Sequence, residues 1–150
     1  MKRILVTGAT GQIGSELVPA LRKKYGPENI IAAGHETKPD RELLEGGHFC
    51  NLDVRDSNAV EKIVKEYRID IIYHMAALLS AAAEKDPHLA WDVNINGLRN
   101  ILEAARKFNL SVFFPSSIGA FGPSTPADNT PQDTIQRPTT IYGITKLTGE

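Results

Sequence analysis

The sequence predicts an α/β fold, a doubly wound parallel sheet with helices on both faces. Apolar runs of strand length alternate with helical patterns along the 150 residues, which favours right-handed crossovers between parallel strands. These runs are continuously apolar, as is typical of strands buried on both faces. A glycine-rich turn also separates the first apolar run from the first helical pattern, where this fold class joins its first strand to a helix.

The first half of the chain contains three predicted strands and two predicted helices. The first helix is predicted because its apolar residues recur with a helical period. Ser57 is predicted to cap the second helix, which runs to about Tyr67, because Glu61 lies close to the capping-box position. The elements that precede it are strand 3–7, loop 8–14, helix 13–25, strand 29–33, polar connection 34–47 and a short strand ending at Asp53.

The second half contains two further predicted strands and two further helices. The strands cover 70–76 and 111–117, and a long helix is predicted over Pro87–Phe108 between them. The proline-rich stretch 119–138 predicts an irregular loop, after which a helix begins near Thr139. The helical spacing of four apolar residues assigns them to the core: Trp91, Leu98, Ile101 and Leu102.

The composition is that of an ordinary globular protein, with 41% hydrophobic and 23% charged residues. The net charge of −1 shows no basic excess, so neither nucleic acid nor an anionic membrane is expected as a partner. Cys50 is the only cysteine, is assigned to the interior, and fits a reducing, cytoplasmic compartment. The histidines lack metal-ligand spacing, so no metal site is predicted.

Three glycines, Gly8, Gly11 and Gly14, stand between the first strand and the first helix. They permit a tight turn and a close backbone approach, and the helix N-terminus that follows offers free N–H groups to a pyrophosphate. A glycine turn without a ligand is the alternative, but the strand before it and the amphipathic helix after it favour a dinucleotide site.

Tyr142 and Lys146 are four residues apart, so a helix would project both side chains from one face. A free phenol has a pKa of about 10 and is a poor base at neutral pH. A neighbouring ammonium stabilises the phenolate, which makes such a pair suited to removing a proton from an alcohol during hydride transfer. Alone, this spacing also occurs by chance on surface helices, and the pair gains weight only with the glycine turn upstream.

The glycine spacing, the serines after the fifth strand and the Tyr-x-x-x-Lys pair together resemble the extended short-chain dehydrogenase/reductase family, which has a Rossmann-like fold. The resemblance implies that Ser117, Tyr142 and Lys146 are catalytic, with Ser117 steadying the substrate oxygen. It further implies a set of cofactor-binding residues: Gly8, Thr10, Gly11, Gln12, Ile13, Gly14, Glu36, Asp53, Val54, Ala76, Ala77, Asn94, Ser116, Tyr142 and Lys146.

The choice between NAD and NADP depends on the end of the second strand. Gly34 stands where the family often has an aspartate for the adenosine ribose, and Glu36 is the nearest acid. No arginine lies in the glycine turn or at that strand end to hold a 2′-phosphate, and Lys38 is the nearest cation. NAD is therefore the predicted cofactor. Asp53 is predicted to contact the adenine, although a capping or loop acid is an alternative.

Two segments, 74–105 and 115–146, resemble the L-threonine 3-dehydrogenases of this family. The resemblance implies NAD-dependent oxidation of the L-threonine 3-hydroxyl to 2-amino-3-ketobutyrate, a step of threonine catabolism. Ser80 would touch the substrate together with Ser117 and Tyr142, although the alternative for Ser80 is a loop or helix-cap serine. A nucleotide-sugar epimerase or reductase, or a dinucleotide-binding protein without catalysis, remains a competing hypothesis, because the fold does not name the substrate.

Members of this family are about twice as long as this chain, so residues 1–150 are expected to form the NAD(P)-binding domain, an N-terminal portion of a longer enzyme. The remaining half would supply the substrate lid. A homodimer is implied for the full-length enzyme. Ala76 and Ala77 could serve helix–strand packing instead of the cofactor, and Asn94 could be a plain structural amide.

Overall fold

A computed structural model describes residues 2–150, and these form one five-stranded parallel sheet with strand order β3-β2-β1-β4-β5. The strands are β1 (Ile4–Thr7), β2 (Ile30–Gly34), β3 (Phe49–Asn51), β4 (Ile71–His74) and β5 (Ser111–Phe113). The helices are α1 (Gln12–Tyr25), α2 (Arg41–Glu45), α3 (Ser57–Tyr67), α4 (Ser80–Lys85), α5 (Pro87–Trp91), α6 (Gly97–Phe108) and α7 (Ile141–Gly149).

The strand order reverses direction at β1, which lies at the centre of the sheet. From β1 the chain moves outward to β2 and β3, and then crosses back to β4 and β5 on the other side. Thr7 pairs with Ala33 on one side and with His74 on the other, so three strands end together. Ligands of such sheets bind at the carboxyl ends of the strands where the order reverses. The predicted doubly wound Rossmann-like fold is confirmed.

Two apolar cores flank the sheet because side chains of a strand alternate between its faces. Leu5 and Ile72 point to the face covered by α3 and α6, where Ile101 is also fully buried. Val6 points to the opposite face, which α1 and α2 cover through Val18 and Leu43. The sheet is therefore buried on both faces, in agreement with its continuously apolar strands.

Several boundaries differ from the sequence prediction. Asp56 caps α3, with its carboxylate accepting the N–H groups of Asn58 and Ala59, so the predicted cap at Ser57 is wrong. The connection after β2 contains the short helix α2, which begins behind the side-chain cap of Asp40. The predicted long helix is divided into α5, a π-helical turn over Asp92–Asn96, and α6.

The core prediction for the long helix is right for two of its four residues. Leu98 and Ile101 are buried, whereas Trp91 and Leu102 are 42% and 47% exposed. Cys50 is half-buried, and burial raises the pKa of its thiol to about 11. Within residues 2–150, no helix is both long and apolar enough to cross a membrane, and no group of three acid, histidine or cysteine side chains is arranged to hold a metal ion.

Arg22 is a buried cation that the sequence did not single out. It lies on α1, is 7% exposed, and donates from its guanidinium to the carbonyls of Leu43 and His48, both at 3.0 Å. These bonds fasten the connection between β2 and β3 to the first helix. Burial lowers the pKa of the guanidinium.

Candidate active site

The glycine turn joins β1 to α1 in a conformation that only glycine adopts easily. Gly8 has a φ of +65°, and a Cβ at this position would lie 2.6 Å from the backbone nitrogen of Ala76. Gly11 donates its N–H to the carbonyl of Gly8 at 3.0 Å and is the N-cap of α1 without a side-chain bond. The first turn of α1 therefore keeps N–H groups that no side chain caps, which is the arrangement that binds anions.

An open cleft of about 260 Å³ lies beside this turn, at the carboxyl ends of β1, β2, β3 and β4. Its lining includes eight of the predicted cofactor-binding residues: Gly8, Thr10, Gly11, Glu36, Asp53, Val54, Ala76 and Ala77. The other predicted cofactor-binding residues lie outside this lining: Gln12, Ile13, Gly14, Asn94, Ser116, Tyr142 and Lys146. The structure thus gathers the predicted adenosine end of the site separately from the predicted catalytic end.

Side chains crowd the end of β2, where the family often places an acid. A Cβ at Gly34 would lie 2.8 Å from Cγ2 of Thr10 and 3.2 Å from the ring of Phe49, so those two side chains already occupy the space. Glu36 reaches the cleft, but its side chain is 86% exposed. His35 lies between the acids, with Nε2 3.5 Å from a carboxylate oxygen of Asp53.

Asp53 forms an ion pair with Arg55, and both residues line the cleft. Arg55 donates from Nε to both carboxylate oxygens of Asp53 at 3.0 Å, and from a terminal nitrogen to Oδ2 at 2.7 Å. These bonds hold the pKa of the Asp53 carboxyl below its usual range. Asn100, which the sequence gave no reason to select, fixes this segment by donating to the carbonyls of Val54 and Arg55.

Asn94 links the wall of the cleft to the last helix. It is 5% exposed and both accepts from the N–H of Leu78 at 2.8 Å and donates to the carbonyl of Leu78 at 3.1 Å. It also donates to the hydroxyl of Thr145 on α7 at 3.0 Å. The amide thereby steadies backbone near the site without lining the cleft itself, and its contact with the cofactor stays a prediction.

The predicted catalytic serine and tyrosine lie next to each other, beside Gly119. A Cβ at Gly119 would be 3.4 Å from both the Ser117 hydroxyl oxygen and Cδ1 of Tyr142. Ser117 accepts the N–H of Gly119 at 3.1 Å, which orients its hydroxyl. Tyr142 is in the first turn of α7, and Gly143 next to it lets that helix pack directly on the backbone of Gly119.

Two side chains hold the N-terminus of the tyrosine-bearing helix. Thr140 caps α7 by accepting the N–H of Gly143 at 3.0 Å. Glu84, on α4, accepts the N–H of Ile141 at 2.7 Å and joins two helices far apart in the sequence. Glu84 is exposed and carries no local pattern that could have identified this role.

Lys146 is buried, with 5% exposure, one turn along α7 from Tyr142. Its ammonium donates to the carbonyl of Pro115 at 3.0 Å and lies 5.8 Å from the centre of the Tyr142 ring. Removal from water disfavours the charged form, so burial lowers the pKa of the ammonium. The predicted serine, tyrosine and lysine are therefore neighbours in the structure.

Two predicted residues have other surroundings than expected. Ser116 is exposed and its hydroxyl donates to the carboxylate of Glu150, which also accepts from Gln136. Ser80 is the exposed first residue of α4, and the N-cap position belongs to Leu79. The helix-cap alternative for Ser80 is therefore wrong, and its contact with a substrate stays a prediction.

Residues 4–150 match the sequence profile of the NAD dependent epimerase/dehydratase family. The chain belongs to this family. A Staphylococcus epidermidis member, named an uncharacterized epimerase/dehydratase, is 55% identical over 150 residues, which are all of this chain and 47% of that protein. The chain thus spans about half the length of the curated epimerase/dehydratase relatives that it matches.

Several solved structures of enzymes resemble this chain closely. L-threonine dehydrogenase from Clostridium difficile has a TM-score of 0.96 and is 52% identical over 99% of this chain and 47% of its own. A UDP-glucose 4-epimerase from Thermus thermophilus, solved as a complex with NAD, has a TM-score of 0.86 and is 31% identical over 98% of this chain and 48% of its own. The resemblance to the threonine dehydrogenases is confirmed.

The chain's own residues fit the coenzyme after which the epimerase/dehydratase family is named. The uncapped turn of α1 and the positive φ of Gly8 suit a pyrophosphate, because backbone N–H groups there have no competing side chain. Ala76 and Ala77 are small residues facing the cleft, and Asp53 lines it with a carboxylate that is paired with Arg55. A dinucleotide matches this donor set and this shape.

Proposed function

We propose that this protein catalyses the NAD-dependent oxidation of the L-threonine 3-hydroxyl to 2-amino-3-ketobutyrate. The observation that carries the proposal is the packing of Ser117 and Tyr142 on one glycine, with Lys146 one helical turn away. Similarity favours the substrate, since the chain is 52% identical to a threonine dehydrogenase and 31% identical to a UDP-glucose epimerase. Residues 1–150 would contribute the coenzyme-binding half and the catalytic residues.

Tyr142 would act as the general base of the reaction. In its phenolate form it accepts the proton of the threonine 3-hydroxyl while the C3–H bond breaks, and bound NAD+ supplies the acceptor for the hydride. Ser117, oriented by the N–H of Gly119, donates a hydrogen bond to the substrate oxygen as charge develops on it. Lys146 stabilises the phenolate because its positive charge lies on the same helix face.

NAD is the proposed coenzyme, and the charges of the residues that line the cleft favour it over NADP. The sequence prediction found no arginine at the end of the second strand, but Arg55 reaches the cleft from the segment after β3. Its guanidinium is engaged by Asp53 in a forked pair and lies 3.8 Å from Asp92. The charge of Arg55 is therefore offset by two carboxylates, and the exposed Glu36 adds a further negative charge that would repel a 2′-phosphate.

A nucleotide-sugar epimerase is the second candidate, favoured by the family membership and the similarity to UDP-glucose 4-epimerase. Both reactions use the same base and coenzyme site, so the geometry around Tyr142 does not separate them. The substrate assay distinguishes the two.

The test measures NADH absorbance with NAD+ and L-threonine, beside conversion of UDP-glucose, for residues 1–150 and for the complete gene product. We expect NADH formation with threonine from the complete gene product and little or none from residues 1–150 alone, and no NADPH formation when NADP+ replaces NAD+ at the same concentration. Tyr142→Phe should lower turnover at least a hundredfold, because a general base contributes about 10²–10⁴ in rate. Tyr25→Phe, at the end of α1, is the matched control. UDP-glucose conversion without threonine oxidation would support the epimerase instead.

A further inference from the structure

The ammonium of Lys146 is held without a carboxylate partner. It donates to the carbonyl of Pro115, and none of the ion pairs among residues 2–150 includes it. Its nearest ring is that of Phe114, whose centre lies 4.5 Å from Nζ, closer than the Tyr142 ring at 5.8 Å. An ammonium at this distance over an aromatic face is attracted by the ring quadrupole, and most strongly where water is excluded.

The ring of Phe114 also contacts the sheet. His74, at the end of β4, stacks against it with a centroid distance of 6.1 Å and an interplanar angle of 24°. His74 is 1% exposed, and its Nδ1 lies 2.8 Å from the hydroxyl oxygen of Thr7. That hydroxyl accepts the N–H of Ala76 at 3.3 Å, so its own hydrogen is free to point at Nδ1. The stack is thus anchored to the two central strands.

The charges around this stack leave Lys146 as its cation at neutral pH. Burial, together with the nearby Lys146 charge, lowers the pKa of His74 to about 4, so the imidazole is neutral. A charged imidazole in contact with the ring would oppose the ammonium. The Phe114 ring is therefore in contact with a neutral buried imidazole and with the Lys146 ammonium, and it also packs beside Gly149 of α7.

We infer that Phe114 is a positioning residue, whose ring, supported by His74, seats the Lys146 ammonium one turn from Tyr142. The inference rests on the proposed function for its catalytic consequence, but not for the contact itself. A leucine at position 114 would fill similar space without a quadrupole and would leave the ammonium buried with one carbonyl. A tyrosine would keep the aromatic face.

The contact is tested first without any substitution. In the NMR spectrum of the unmodified protein, the Hε signals of Lys146 should lie upfield of those of the exposed lysines, because they lie over a ring face. Hε signals at the ordinary lysine position would overturn the inference. This measurement holds even if a variant at position 114 fails to fold.

The second test follows the Lys146 pKa and turnover in Phe114→Leu and Phe114→Tyr. We expect Phe114→Leu to lower the Lys146 pKa further and to reduce kcat about tenfold, with a smaller change in KM for threonine. Phe114→Tyr should retain the Lys146 pKa and the kcat of the original protein. Phe108→Leu is the matched control, because Phe108 also lies near two ammonium groups, those of Lys65 and Lys107, at the surface end of α6.

The outcomes separate the two proposals. A Lys146 pKa unchanged in Phe114→Leu would overturn the positioning role, whatever the turnover. The Lys146 pKa could fall in Phe114→Leu while the unsubstituted protein does not oxidise threonine. That result would support the contact between Phe114 and the ammonium and would reject the proposed function. Equal losses in Phe114→Leu and Phe114→Tyr would also overturn the inference, since any change of packing would then explain them.

Discussion

Gly143 lies so close to Gly119 that a Cβ at position 143 would overlap the carbonyl oxygen of Gly119 and lie 2.8 Å from Cβ of Pro138. This contact brings the first turn of α7 against the turn that carries Ser117. The spacing of two candidate catalytic side chains therefore depends on a position that has no side chain.

Gly143→Ala should destabilise the protein and lower turnover together. Alanine is favoured over glycine inside a helix by about 1 kcal/mol, but overpacking against backbone costs about 1–3 kcal/mol. We expect the steric cost to prevail, because a carbonyl oxygen cannot rotate away as a side chain can. Thermal unfolding and NADH formation measure the two effects. Thr148→Ala, an exposed change on the same helix, is the control, and a Gly143→Ala variant as active as the original would contradict the prediction.

His74 should make stability fall in mildly acidic solution. Its pKa is about 4 in the folded protein, because of burial, and about 6.5 when unfolded. Between these values the unfolded chain binds a proton that the folded chain does not, so the free energy of unfolding decreases as pH falls through this window. The full decrease would be roughly 3 kcal/mol. Denaturant unfolding at pH 7, 6 and 5 measures the slope.

The control for this slope is a pair of variants. His74→Asn should lose the part of the slope due to the buried imidazole, even if its absolute stability is lower. His88→Asn, at an exposed position on α5, should retain the slope of the original protein. Identical slopes for the two variants would show that His74 is not the group responsible.

Asn94→Ala should destabilise the protein by about 2–4 kcal/mol, since buried polar groups that lose their partners cost about 1–3 kcal/mol each. The substitution leaves the N–H and the carbonyl of Leu78 without their bonds to the amide, and removes the bond to Thr145. Asn94→Asp is a sharper variant of the same size, because a carboxylate cannot donate to the carbonyl. Asn58→Ala, on the exposed side of α3, should change the free energy of unfolding little, and an equal effect there would count against the role of Asn94.

Glu84→Gln and Glu84→Ala should differ in their effect on α7. The carboxylate accepts the N–H of Ile141 at the positive end of that helix, which stabilises a helix by about 0.5–1 kcal/mol. Glutamine keeps an acceptor oxygen and loses the charge, so it should retain part of the stability and turnover. Alanine should lose both the hydrogen-bond acceptor and the favourable charge, and so should have the larger effect on stability and turnover. Glu103→Ala, at an exposed ion pair on α6, tests whether any surface acid has the same effect.

The features that the sequence predicted correctly have local signals. The glycine turn lies between an apolar run and an amphipathic segment, and the four-residue spacing of Tyr142 and Lys146 follows from helical geometry. Ser117 was selected only through the family resemblance, and its approach to Tyr142 depends on the loop between them. The roles of all three remain proposals.

The features that the sequence missed depend on contacts between distant segments. Arg22 bonds to carbonyls some twenty residues away, and nothing about its neighbours on α1 predicts burial. Asn100 and Glu84 likewise bond to backbone groups of distant segments. Because every residue type except proline carries the same backbone N–H and carbonyl, the sequence of the partner segment gives no sign of these bonds. Ser57 was predicted as the helix cap because Glu61 lies close to the capping-box position, whereas the cap is Asp56, one residue earlier, a residue type that caps equally well.

The π-helical turn over Asp92–Asn96 holds one residue more than a regular turn of the same height, and Asn94 lies inside it. Deleting a single residue there would restore ordinary helical winding and, by backbone bonding alone, would improve the helix. Because the wide turn absorbs its extra residue, α5 and α6 on either side would keep their present buried faces. The side chains inside the turn would be redirected, and Asn94 would lose its simultaneous reach to Leu78 and Thr145, so the extra residue serves this amide and not the faces of the flanking helices.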